Sequence, residues 1–420
     1  MRLGSLRFGL WVACALMLFA SRARADVVLY DKDGWGVFTR GQAAAFYQLA
    51  LGDADPQSMT PQVGGLLSSV QESDQKNSTV TLSRLRSGFV GSQIGFGIRR
   101  DISETVHVDA FTAVSLQDVS GGRTVGLPEG VDWREAWASV VTPYGSFKFG
   151  RMFSIFGSAS AQVVLLAYRY GIGNPCVAGG AGIACGSVGA GPLYAGFNAE
   201  MRYTTPRLAG FEAQVSVGDP ISGQVNSYTL TPLPRFDGEI NYDRHFGETT
   251  RLRVIAQGVT QEIQRNNMMG GLQSSNIWGV MGSAIIEAGG FAAGLGGWEG
   301  SGIGTTRLLE VPGGAASSIS FDDTGALRLF RGYYGNIAYD YRGTRLAAGT
   351  GIVYVRPTAE DSSAQPPVDV LDHAGEWHVV FTQQFDALIL TAEFARWTSR
   401  WHSDAHEIMN FSSVGATFTW

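Results

Sequence analysis

The chain has 420 residues, of which 16% are charged and 56 are Gly, and three of its 31 basic residues are Lys. A formal net charge of −6 with dispersed Arg excludes a nucleic-acid-binding footprint. Low charge, abundant Gly and 11% aromatic residues, with no Pro-rich spacer or long charge run, leave a large all-β domain or a membrane β-barrel.

Residues 1–25, MRLGSLRFGLWVACALMLFASRARA, carry Arg2 and Arg7, an apolar run from Phe8 to Ala20, and Ala23-Arg24-Ala25 as a cleavage site. This is the pattern of a secretory signal peptide, with a mature chain of 26–420. The run is short for a membrane span, and no later stretch approaches ~18 continuous apolar residues. Removing four Arg and no acid takes the net charge from −6 to −10. It also leaves only Cys176 and Cys185, nine residues apart. In an exported protein a small-loop disulfide is expected there; two free thiols are the alternative, and the lack of nearby His argues against zinc.

From Gly34 onward, segments of about ten residues alternate with period two between turns. HVDAFTAVSL sets Val108, Ala110, Thr112 and Val114 against His107, Asp109 and Ser115. EWHVVFTQQF sets Trp377, Val379 and Phe381 against His378, Thr382 and Gln384, and ALILTAEFARW sets Leu388, Leu390, Ala392 and Phe394 against Thr391 and Glu393. Each strand has one apolar and one mostly polar face.

Connection lengths alternate too. Tight turns fall at 99–104, 142–146, 205–210, 246–250, 287–290, 342–344 and Asp386. Long loops fall near 50–81, 117–131, 153–198, 220–234, 262–275, 300–328, 357–374 and 401–408. Fifteen connections join sixteen strands. Sorting by length to two ends marks a transmembrane β-barrel; a soluble β-sandwich, the alternative, has no reason to sort them. Sixteen strands enclose an aqueous channel. The expected fold is therefore an antiparallel barrel with short periplasmic turns, long extracellular loops, polar faces inward and apolar faces on lipid. The last strand, FSSVGATFTW, keeps Val414, Ala416, Phe418 and Trp420 on one edge to the terminal atom, with Trp420 at the membrane interface.

Parity selects candidate lumen residues. Arg40 shares a face with Phe38, Gln42 and Ala44; Arg84 and Arg86 lie opposite Leu85, Ser87 and Phe89. An Arg on lipid at mid-membrane costs roughly 2–4 kcal/mol, so these three are expected to point inward. Arg134 and Arg151 are further candidates, with Glu135 and Phe149 competing for the same faces; rim positions paired with loop carboxylates are the alternative.

SRLRSGFVGSQIGFGIRRDISETVHVDAFTAVSLQ (83–117), WREAWASVVTPYGSFKFGRMFS (133–154), MRYTTPRLAGFEAQVSVGD (201–219) and the closing VGATFTW resemble, in order and spacing, strands of the Gram-negative general porin family. The resemblance spans the mature chain, although the family more often ends in Phe. It implies a trimeric outer-membrane barrel for passive diffusion of small hydrophilic solutes and ions. It also implies that the third loop, 153–198, folds into the lumen as a constriction facing an Arg wall, and that Phe418 and Trp420 form the membrane-insertion signal. No enzyme, metal or cofactor is implied; the partners are outer-membrane lipid and lipopolysaccharide.

One departure from that pattern bears on selectivity. Between Arg151 and Glu200 there is no Asp or Glu. The loop carries Arg169, an apolar run from Val163 to Ala167, and Tyr168 and Tyr170. An uncharged loop facing Arg predicts a locally positive constriction and a preference for anions. Tyr168, Tyr170 and the Arg wall alternatively form a slide for organic acids, phosphate or sugars, and Val163–Ala167 alternatively packs on the inner wall. Asp53, Asp55, Asp322, Asp323, Glu360 and Asp361 fall in outer loops, where solubility is the simpler role and divalent-ion bridging to lipopolysaccharide the other. The six His are scattered and no G-x-S-x-G stands out, which disfavours a barrel hydrolase. A partner-binding barrel is the remaining rival.

Overall fold

The computed structural model describes residues 26–53, 62–64, 75–76, 79–116, 131–173, 186–221, 229–266, 272–306, 308–309, 319–322, 324–363 and 368–420. They form a closed antiparallel barrel of 16 strands. The wall is β1 (Trp35–Asp53), β2 (Thr79–Arg86 continued by Ser92–Asp101), β3 (His107–Leu116), β4 (Val131–Thr142), β5 (Gly145–Phe153), β6 (Phe197–Thr204), β7 (Phe211–Gly218) and β8 (Arg235–Phe246). It continues through β9 (Thr250–Asn266), β10 (Leu272–Ala288), β11 (Phe291–Ser301), β12 (Leu329–Tyr341), β13 (Thr344–Arg356), β14 (Asp369–Phe385), β15 (Leu388–Trp401) and β16 (His406–Thr419). Each pairs with its sequence neighbour, and β1 closes the ring against β16, Gln42 opposite Thr419 and Gly52 opposite Met409.

Both ends of the chain share one strand position. Val27–Lys32 pairs with β1 on the flank that β16 uses, Val27 opposite Thr39. Trp420 exchanges two backbone hydrogen bonds of 3.1 Å with Gly41. The closing strand is thus composite, β16 running on into Val27–Lys32.

The tight turns fall where the sequence places them. At the β12–β13 hairpin, Arg342 and Gly343 both have positive φ (50° and 82°), the two-residue geometry that matches the strand twist. No helix among the described residues is long and apolar enough to cross a membrane; strands do the crossing.

The alternation resolves as expected on the outside. Trp377, Val379, Phe381, Leu388, Leu390 and Phe394 are exposed, as Leu85 and Val414 are, and form part of an outward apolar belt. The inside departs from expectation. From β9 to β16 the inward face is apolar over much of its height: Ile255, Val259, Ile277, Met281, Trp298, Phe330, Val353, Trp397, Met409 and Phe411 are all buried in one core. The inward faces of these strands are covered because protein, not water, fills that half of the barrel, while their outward faces stay exposed.

Two loops do the filling. The third loop enters after β5 and forms helix α1 (Ser158–Tyr168), which packs across β9 to β14. Gly294 makes room for it, since a Cβ there would sit 2.9 Å from Leu166. This is the inner-wall packing that the run Val163–Ala167 allowed. The loop after β11 also turns inward, burying Ile303, Leu308, Leu309, Ile319 and Phe321 and accepting a hydrogen bond at Thr306 O from Tyr194 N (2.7 Å). No pattern in the sequence marks this second inward loop.

Candidate functional site

With β9–β16 filled, the polar side of the lumen runs along β1 to β8, and the candidate site lies between this wall and the third loop. The loop is held from the wall, because α1 carries no acid in its first turn and no base in its last. Asp237 Oδ1 accepts from Phe156 N (3.3 Å) and Gln257 Oε1 from Gly157 N (3.0 Å), so side chains of β8 and β9 cap the positive helix end. Arg345 Nε donates to Leu166 O (2.9 Å), serving the negative end. Asn336 Nδ2 donates to Val163 O (3.1 Å).

Beyond α1 the chain makes a sharp turn fastened on β15, β1 and the break within β2. Glu393 Oε1 accepts from Ile172 N (2.9 Å) and Gly173 N (3.0 Å) and also from the Ser413 hydroxyl. Thr391 Oγ1 donates to Tyr170 O (2.6 Å), Gln48 Nε2 to Gly173 O (3.1 Å) and Phe89 N to Gly171 O (2.7 Å).

The wall facing this loop is charged in both signs. Arg134 pairs with Asp132 (2.7 Å), Arg202 with Glu200 (3.1 Å), Arg235 with Asp237 (2.5 Å) and Arg251 with Asp243 (2.5 Å). Arg40 lies 3.4 Å from Asp26, and Arg99 lies 2.8 Å from Asp109. The carboxylates absent from the third loop stand instead on the wall beside the Arg they neutralise. In two of these pairs the sequence signal is plain: Glu200-x-Arg202 and Arg235-x-Asp237 put both charges on one strand face.

Toward the short-turn end the wall is paved with aromatic rings. Phe38 lies over Gly97, where a Cβ would meet its ring at 2.0 Å. Phe38, Phe111 and Trp137 follow one another with centroids 6.3 and 5.6 Å apart. The Arg40 guanidinium sits 4.5 Å above Phe111, and Lys148 Nζ 3.5 Å above Trp137.

The residues expected to line the lumen divide as follows. Arg40 points inward and is half-exposed, stacked on Phe111. Arg134 sits at the bulge in β4, mostly covered, paired with Asp132 and 5.7 Å from the Phe197 ring. Arg86 lies opposite Leu85 as parity requires, but at 4% exposure it is packed behind the loop rather than presented to water. The Arg84 side chain lies outside the described residues; its backbone stands opposite Gln48. Arg151 shares the face of Phe147 and Phe149, both exposed outward, so it does not belong to the inner wall. It sits near the loop end of β5, where the cost of a charge falls toward zero at the membrane interface.

Tyr168 is fully buried, its hydroxyl donating to Glu376 Oε1 (2.9 Å) and its ring 4.4 Å from His378. Burial, with Glu376 and Glu393 close by, pushes its phenol well above the ordinary tyrosine value and keeps it a donor. It anchors the loop and does not form a slide. Arg169 is exposed, 5.3 Å over the ring of half-buried Tyr170. Cys176 and Cys185 lie outside the described residues. Phe418 is exposed outward, 6.3 Å from the Trp420 ring. Of the outer-loop acids, Asp361 and Asp322 are buried structural groups: Asp361 holds Arg328 (2.6 Å) and Asp322 accepts from Thr358 Oγ1 (2.6 Å).

Lys148 and the pair Glu200–Arg202 were not among the candidates. Lys148 is detectable in retrospect as one of three Lys in the chain, one residue from Phe149 on the opposite face.

Comparison with known proteins agrees with this architecture. The outer membrane channel DcaP of Acinetobacter baumannii superposes with a TM-score of 0.66 at 12% identity, over 94% of this chain and 100% of that one. The anion-selective porin from Comamonas acidovorans gives 0.56 at 11%, over 92% and 100%. The trimer form of OmpT of Vibrio cholerae gives 0.50 at 12%, over 92% and 100%. At such identities the likeness concerns the fold. No curated protein sequence matches the chain. A family model described as Gram-negative porin matches residues 12–407, and the chain belongs to the Gram-negative porin family as an outer-membrane channel.

Proposed function

We propose that this porin is a homotrimeric diffusion channel for small hydrophilic solutes and ions, with a preference for anions. The observation that carries the preference is the third loop, which has no carboxylate from Arg151 to Glu200 and presents Arg169 to solvent. A cation passing that loop meets no opposite charge on it, whereas an anion meets a guanidinium. The wall opposite is close to neutral because its Arg are paired, so the bias is modest rather than steep.

Trimer formation is supported by the outward face of β1, β3 and β4, where Ala43, Ala45, Ala110 and Ala136 stand exposed. The corresponding rows of β12 to β14 carry Tyr333, Ile337, Tyr339, Leu346, Trp377 and Phe381. Small side chains suit close approach of a second protein surface, and large apolar ones suit lipid. The trimer form of OmpT is in accord with that assembly. We also propose cleavage after Ala25, a Cys176–Cys185 bridge at the loop tip, and Phe418 with Trp420 as the insertion signal.

Zero-current potentials of purified protein in planar bilayers under a salt gradient test the main reading. Anion permeability above that of cations supports it, and cation selectivity refutes it. A slide for organic acids, phosphate or sugars is less favoured, because Tyr168 is buried against Glu376.

A further inference from the structure

Two arginines on the outward face of β12 and β15 stand beside carboxylates: Arg331 pairs with Glu299 (3.0 Å), and Arg400 with Asp404. Arg396, also on β15, has no such partner. Ala395 and Trp397 on either side of it are buried in the interior, and its register partner on β14, Trp377, is 45% exposed, so Arg396 points toward lipid. Asn410 stands opposite it on β16. Among the described residues Arg396 makes no ion pair, hydrogen bond or ring contact.

This guanidinium lies within the apolar belt. Leu388, level with Phe418 at the short-turn end, is eight residues away on the same strand. At about 3.4 Å per residue and a tilt near 45°, that is roughly 19 Å of height. The belt is about 25 Å tall, so Arg396 sits inside it, just under the loop-side margin. Ile352, Thr398 and Ile408 separate it from a polar row, Tyr354, His373, Arg400 and His406, that crosses four strands in register.

Guanidinium stays charged in such a place, and its long stem lets the head rise to headgroup level. The acids at that level already serve other cations. Asp404 holds Arg400, and Asp372 lies 2.8 Å from His373 and 3.7 Å from His402. Arg400 is thereby offset, and Arg396 is the cation left over. The acceptors within its reach belong to the membrane.

We propose that Arg396 binds the phosphate of a phosphorylated glycolipid of the outer leaflet by direct contact. Asn410 is beside it as a second donor, and Trp377 and Phe394, with ring centroids 5.3 Å apart, offer an apolar surface to the acyl chains. Divalent-ion bridging through outer-loop acids is a different mode, because here the protein supplies the cation itself. The site is independent of which ions or solutes cross the pore.

The test is a titration of the folded channel in detergent with lipid A, the phosphorylated lipid of lipopolysaccharide, with EDTA present and bound lipid read by native mass spectrometry. The unaltered protein is expected to bind it roughly tenfold more tightly than dephosphorylated lipid A, and Arg396→Gln to lose that factor. Arg396→Lys, which keeps the charge without the planar fork, should fall between. The double variant Glu299→Gln/Arg331→Gln, which removes a compensated pair, is expected to bind as the unaltered protein does. Equal affinity of Arg396→Gln and the unaltered protein overturns the proposal. So does binding that EDTA abolishes, or equal affinity for the dephosphorylated lipid. Loss of oligomers in Arg396→Gln with lipid affinity unchanged assigns the residue to a neighbouring protomer and overturns it too. Heat-modifiable migration on gels shows that each variant is folded; should Arg396→Gln fail there, Arg396→Met takes its place with the same expected loss.

Discussion

Glu393 on β15 reaches the backbone N–H of Ile172, 2.9 Å away, and so ties the far limb of the constriction loop to the opposite side of the barrel. The contact fixes more than one atom. Gly173 N shares the carboxylate, and the space left at Gly171 is so small that a Cβ would lie 2.3 Å from Glu393 Oε2. A hydrogen bond of this kind contributes about 1 kcal/mol net. Glu393→Ala should loosen this turn, raise open-channel current noise and lower the heat needed to unfold the barrel on gels. Glu393→Gln keeps one acceptor oxygen and should fall between. Gly171→Ala should resemble Glu393→Ala, because the new methyl displaces the same carboxylate. Three quiet, equally stable variants would show that the loop is held elsewhere.

Glu200 and Arg202 illustrate how the wall is neutralised. They lie two residues apart on β6, facing the lumen, with Glu200 only 5% exposed. Taking either partner away leaves a half-desolvated charge beside the ion path. Arg202→Gln should move selectivity toward cations and Glu200→Gln toward anions, each by roughly threefold. The measurement is the zero-current potential of each variant beside the unaltered channel. Shifts of the same sign in both would mean that the pair acts through folding rather than through charge.

The outer surface and the strand count were legible because they follow from local rules. Period two at Trp377, Val379 and Phe381 determines which face meets lipid, and the turn signals at 205–210 and 342–344 place the hairpins without knowledge of their neighbours. The interior was legible only in part. Arg40 could be assigned inward because lipid penalises the alternative. The same argument failed for Arg151, whose neighbours Phe147 and Phe149 set its face outward and whose place near the loop end removes the penalty. Tyr168 could not be assigned at all from pattern. A helix buried on most sides shows no single apolar stripe, and its partners Glu376 and His378 lie more than two hundred residues away in the chain. The inward turn of the loop after β11 was hidden because Ile303, Leu308 and Phe321 show no strand or helix period and join a core assembled from many separate strands.

Arg328 and Asp361 join the two loops that follow β11 and β13, and the pair is almost wholly buried, with N–O distances of 2.8 and 2.6 Å. Arg328 also donates to Ile319 O (3.1 Å) and Phe321 O (2.9 Å), so it organises the inward loop. Burial works against ionisation of Asp361, but the Arg328 guanidinium and the Thr358 N–H outweigh it and hold the carboxyl below its ordinary value. A carboxylate with a depressed folded pKa adds stability above its unfolded value, about 4, and loses it as the pH falls through the folded value. The loop tie should therefore be constant across neutral pH and weaken only in acid, below about pH 4. Pepsin nicking of the outer loops, followed in pH steps, should begin in that range. Asp361→Asn leaves a buried guanidinium without its carboxylate, a loss of about 3–5 kcal/mol, and should make the loops sensitive to a neutral protease at pH 7. Equal resistance of the two proteins would remove the tie from the account.

Trp420 and Gly41 close the barrel. Their two backbone hydrogen bonds are the last rungs of β16, and the indole covers Gly41 so closely that a Cβ there would meet Trp420 Cζ2 at 2.4 Å. Deleting Trp420 removes both bonds, each worth about 1 kcal/mol net, together with the ring that covers the glycine. Assembly into a heat-modifiable barrel should slow and its melting temperature should drop. Trp420→Phe keeps the rungs and should assemble nearly as well, whereas Gly41→Ala should behave like the deletion.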